Sequence, residues 1–183
     1  MSFKSAFILT AAIVVALPAF AQENPMVGGA PMFADRNIVE NAVNSADHTT
    51  LVAAVTAAGL VDTLQSAGPF TVFAPVNSAF ARLDQAAVAQ LLEPQNKAQL
   101  TQILTCHVLG ANATFDVING MAMEGGGTFE VETLGGCTLT VNVSGSSVTL
   151  TDEQGRVANV TIADVIQSNG VIHVIDRVIL PAV

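Results

Sequence analysis

The residues in this 183-residue chain with chemical potential are three histidines, two cysteines and a few paired carboxylates. Cys106 stands directly before His107, which raises the question of a thiol nucleophile and its base. Such a pair must share a hydrogen bond. "CHVLG" reads as the start of a strand, and neighbours on a strand point to opposite faces, so Cys106 and His107 make no dyad. A zinc or copper centre needs three or four converging ligands. His107 and His173 meet if their strands are neighbours, but no further histidine or cysteine pair joins them. His173 lies in "VIHVI", the middle of an apolar strand, where a histidine satisfied by backbone groups is expected. No metal and no cofactor is expected.

Paired carboxylates are the other candidates for chemistry. Glu130 and Glu132 lie two residues apart on one strand face, a spacing that suits acid–base work. A solvated face opposite Phe129 and Val131 is the expected role. Asp152 and Glu153 fall in a turn and are expected to be exposed. "VSGSSV" lacks the Gly-x-Ser-x-Gly elbow of a serine hydrolase. These residues describe a chain that is not an enzyme.

Cysteine use depends on the compartment. Residues 1–21 have the layout of a secretory signal peptide: Lys4, the apolar run "AFILTAAIVVAL", then Ala19-Phe20-Ala21 as a small-x-small cleavage site. The run is short for a membrane span, with a retained anchor as the alternative, and no later segment suits a bilayer. In an exported chain an even cysteine count invites a disulfide, so Cys106–Cys137 is expected, with two buried free thiols as the alternative. All 15 acidic residues follow the signal segment and Lys4 is lost with it, which leaves a strongly acidic mature chain. Such a surface repels nucleic acid and anionic lipid headgroups. Neither nucleic acid nor a stable membrane insertion is expected among its partners.

The elements that must position these residues can be read from periodicity. Residues 22–35 carry the Pro and Gly of an extended arm, and one domain spans residues 36–183. "RNIVENAV" and "HTTLVAAVTAAG" show helical spacing, the second capped by Thr49 or Thr50 and stopped by Gly59. Phe70 to Phe73 is an uncharged strand ended by Pro75. Asn77 precedes "SAFARL" as its helix cap. "DQAAVAQLLEPQNKAQLTQILTCH" reads as two helices broken at Pro94, and "NATFDVINGM" as a short helix. From Thr128 the period becomes two, and strands follow at 129–133, 139–143, 148–150, "VANVTI" and "GVIHVIDRVIL". Helices first and antiparallel strands after make an α+β domain.

"GPFTVFAPVNSAF" (68–80) and "SNGVIHVIDRVILP" (168–181) together resemble the two signature segments of the fasciclin domain, in the family's order. The arm "NPMVGGAPM" and "NIVENAV" are similar to secreted bacterial members with one domain. The resemblance implies a wedge of two β-sheets with helices packed alongside, the two signatures lying side by side. It also implies adhesion or matrix contact without catalysis. In animal members integrin contact is placed on a Tyr-His segment and on an Asp-Ile pair before the second signature. Here these positions are Cys106-His107 and Asp164-Val165, and the chain has no tyrosine. The expected partner-binding residues are therefore Asp164, Val165 and His107. The partner would be a protein or a cell-surface or matrix component, met in the periplasm or outside the cell, and self-association is a further option. The alternative is a lipid- or sugar-binding protein, which needs a pocket. A deep cavity beside His107 or Glu132 would favour it.

Overall fold

The computed structural model describes residues 24–182, so the signal-peptide reading lies outside the described residues. The arm is not simply extended. Met26–Val27 (β1) and Ala30–Pro31 (β2) pair as a small hairpin, and Val27 and Met32 are buried. Helices follow at Ile38–Ala42 (α1), Thr49–Ala58 (α2) and Val61–Gln65 (α3). Asn37 and Glu40 exchange hydrogen bonds across the first turn of α1, which satisfies two free amides at once. The α2 helix stops at Gly59, whose φ of 71° is readily reached without a Cβ.

Phe70–Pro75 (β3) leads into Asn77–Ala81 (α4), Gln85–Leu91 (α5) and Lys97–Thr105 (α6). The break expected at Pro94 is present as a single 3-10 turn, Pro94–Asn96. Val108–Leu109 (β4) precedes Phe115–Glu124 (α7). The strands Thr128–Glu132 (β5), Thr138–Ser144 (β6), Ser147–Thr151 (β7), Val157–Gln167 (β8) and Gly170–Ile175 (β9) complete the chain.

Seven strands form one ladder in the order β4-β3-β9-β8-β7-β6-β5. The two signature segments are central neighbours. β3 and β9 run parallel, from Phe70 opposite Gly170 to Pro75 opposite Ile175, and the other pairs in this ladder are antiparallel. Pairing continues past Pro75, because the next amide, Val76 N–H, donates to the Ile175 carbonyl. β8 is the hinge of the architecture. Its first residues pair with β7 and the rest with β9, with register shifts between Val160, Ile162 and Val165. Such irregularities bend a strand, so the two sheets of the wedge are two halves sharing β8. This is also why β8 runs on through "IADVIQ", where strict alternation fails.

Alternate residues of the central strands feed two cores. Val72, Ala74, Ile172 and Val174 face α1, α2, α3 and α6, packing on Leu51, Val55 and Leu104. Phe73 and Ile175 face the other way, into the wedge, where they meet Leu139, Val141, Leu150 and Ala158. The fold is α+β, as expected.

Candidate functional site

Asp164 lies at the irregular stretch of β8 and has φ 54°, a left-handed backbone uncommon for a non-glycine residue. Its Oδ1 accepts the N–H of Phe115, the first residue of α7, at 2.7 Å. The flanking Thr114 makes no side-chain cap, so a carboxylate from another element caps this helix. A negative group there also complements the helix dipole. The Asp164 N–H donates to His173 Nδ1 at 3.3 Å, and His173 Nε2–H donates to the Ala113 carbonyl at 2.7 Å. The segment entering α7 is thereby fastened to β8 and β9 at both of its polar ends. His173 is buried against the Phe73 ring, with centroids 5.8 Å apart. Burial lowers its pKa despite the Ala113 contact. On the outside of this unit, α7 exposes Val117 (46%) and Met121 (38%), one turn apart on one face.

Val165 and His107 do not share that surface. Val165 is 0% exposed and packs in the helix-side core. His107 is buried just before β4, which β3 and β9 separate from β8. Its Nδ1–H donates to the Ile103 carbonyl at 2.8 Å, and its Nε2 accepts from Ile179 N–H at 2.9 Å. Burial lowers its pKa to about 4. His48, which carries no sequence signal, repeats the pattern with Ser45 Oγ on Nδ1 and the Ala74 carbonyl on Nε2. All three imidazoles spend both nitrogens on internal bonds, which leaves no lone pair for a metal or a proton in transit. Among the described residues no group of three or more His, Cys, Asp or Glu could hold a metal ion.

The cysteines form a disulfide with Cα atoms 5.3 Å apart. Cys106 is the residue closing α6 rather than a strand residue, so bonding to Cys137, not alternation along a strand, removes it from His107. Gly135 packs against the bridge so closely that a Cβ there would lie 2.9 Å from Cys106 Sγ.

Two polar roles differ from expectation. Asn77 is the first residue of α4, after Val76, and does not cap its own helix. Its Oδ1 accepts from Thr50 N–H at 3.0 Å and Thr49 Oγ1 at 3.2 Å, and its Nδ2 donates to the Ala46 carbonyl at 2.9 Å. It caps α2 from the start of α4. Asp152 is buried, not exposed. Burial opposes its charge, but the backbone N–H groups of Arg156 and Leu180 and the Arg156 guanidinium hold its pKa below the ordinary value. It ties the β7–β8 turn to the C-terminal segment. Glu130 and Glu132 are exposed on β5.

Comparison with known proteins agrees with this architecture. The fasciclin domain family model matches residues 46–181. The chain is 44% identical over 160 residues to protein sll1483 of Synechocystis sp., covering 87% of this chain and 82% of that one. It is 30% identical over a 200-position alignment to immunogenic protein MPB70 of Mycobacterium bovis, covering 98% and 94%. The structure of a FAS1 domain pair from the insect cell adhesion molecule fasciclin I superposes with a TM-score of 0.69 at 18% identity, over 81% of this chain and 51% of that one. The parallel β3–β9 pair, the bent β8 and the sequence match over most of the chain lead to one conclusion: this protein belongs to the fasciclin domain family.

Proposed function

We propose that the protein is an exported, non-catalytic interaction module that makes adhesive contact with a protein partner through the outer face of α7. The observation that carries this reading is the exposed apolar pair Val117 and Met121 on a helix whose start is anchored by Asp164. Asp164 is the one residue of the expected trio that reaches the surface, being half-buried. Val165 and His107 lie away from that face, in the helix-side core and just before β4. A rigidly held helix presents its side chains with little ordering cost on binding. Export is supported by the signal-like first 21 residues, and an oxidising compartment by the disulfide.

Val117→Asp with Met121→Asp tests the face without touching the core. Immobilised wild-type chain should retain an envelope protein that the double variant loses, while Val157→Asp, at a distant exposed apolar site, retains it. Equal retention by wild type and the α7 variant would refute this assignment. Asp164→Ala with Val165→Ala is a poor probe of it, because the Val165 change opens a hole in the core.

A further inference from the structure

The helix-side core is not filled. Between α1, α2, α3, the end of α6 and the sheet lies a cavity of about 350 Å³. Its floor is Val72, Ala74 and Ile172, and Val55, Leu64 and Leu104 are among its walls. Protein interiors hold few voids larger than a water molecule. This one is roughly a dozen times the ~30 Å³ share of a water in the liquid, and it falls in the size range of small-molecule sites.

The chemistry of the lining selects the occupant. None of its residues is Asp, Glu, Lys or Arg. His107 reaches the wall, but Ile103 and Ile179 occupy both its nitrogens. The hydroxyls of Thr56 and Thr105 are turned back on their own helix, donating to Val52 and Thr101 carbonyls at 2.8 Å. Thr63, at the exposed edge, is the one further hydroxyl of the lining, so a sugar would bury most of its hydroxyls without partners, which is costly. A hydrocarbon chain would instead recover the dispersion contacts that the lining lacks. Two lining residues are exposed and apolar, Val43 at 55% and Leu134 at 53%. There the apolar lining meets solvent, so that a chain leaving the cavity still touches apolar surface. The protein carries a net charge of −9, which disfavours an anionic headgroup outside that edge.

We infer that this cavity is a binding site for the hydrocarbon chain of a neutral lipid. The site lies between the helices and the sheet, apart from the outer face of α7, and its test is independent of the adhesive role.

Titration of the purified exported protein with N-phenyl-1-naphthylamine, an uncharged apolar fluorophore, reads the site. Saturable binding is expected, displaced by a monoacylglycerol below its micellar concentration and not by glucose. Val43→Glu with Leu134→Glu, both at exposed positions that leave the fold intact, should weaken probe and lipid by at least about tenfold, because a charge then borders the apolar edge. Val157→Glu, away from the cavity, should leave affinity unchanged. The lipid should also raise the thermal midpoint of wild type and not of the edge variant. Absence of saturable binding, displacement by glucose as effective as by the lipid, or equal affinity of wild type and edge variant would each overturn the assignment.

Discussion

Acidification from pH 7.5 to 4.5 should destabilise this protein through its buried histidines, and His107 sets the magnitude. In the native state its pKa is lowered from 6.5 to about 4, chiefly by burial. The neutral ring donates from Nδ1 to Ile103 and accepts at Nε2 from Ile179 N–H. A second proton would face that N–H, donor against donor. Asp152 and Arg156 act on the ring in opposite senses. Between pH 6.5 and 4 the unfolded chain binds a proton at this residue and the folded chain does not. The stabilisation is therefore complete above pH 6.5 and is lost as pH falls toward 4. The full gap corresponds to about 3 kcal/mol, most of it spent by pH 4.5. That is a large part of a typical domain stability of roughly 5–15 kcal/mol. Burial lowers the pKa of His48 and His173 as well, so their contributions have the same sign. Asp152 and Asp176 are held below the ordinary carboxylate value, so their loss belongs to still lower pH. The chain has neither Trp nor Tyr, so urea unfolding should be followed by far-UV circular dichroism. The His107→Gln variant should be weaker at pH 7.5 and lose about 2–3 kcal/mol less between the two pH values than wild type does. Equal wild-type stability at both pH values, or an unchanged pH gap in His107→Gln, would refute the reasoning.

Replacing Cys106 and Cys137 by serine should lower stability by about 3–4 kcal/mol, since the bridge spans a separation of 31 residues and constrains the unfolded chain; an unchanged urea midpoint would argue that the bridge contributes nothing. Asn77→Ala removes the cap that α2 receives from the start of α4, and should cost about 1–2 kcal/mol. Amide exchange at Thr50 should accelerate first, and wild-type protection there would contradict the capping role.

Much of the fold was legible because local patterns carry it. The uncharged run Phe70 to Phe73, the break at Pro94 and the period-two stretch after Thr128 each report which faces of an element are covered, and the structure places them as read. The arm differs from the extended reading because its Pro and Gly residues mark the turn of a hairpin as readily as a linker. The disulfide was suggested by an even count and the apparent export signal. Its partner in space, Gly135, could not be seen in the sequence.

The sequence alone determined the fold family, the acidity and the apolar faces, because these depend on residue type and short-range spacing, whereas it left the bonding of Cys106 to Cys137 as an expectation. Only the tertiary structure decided that Asn77 caps α2 instead of α4, that Asp164 caps α7, and that Val165 is sealed inside. It alone revealed the cavity over Val72 and Ile172. A polar atom's partner, and a space left between helices and a sheet, arise where segments far apart in the chain meet. No spacing within one segment records where that meeting takes place.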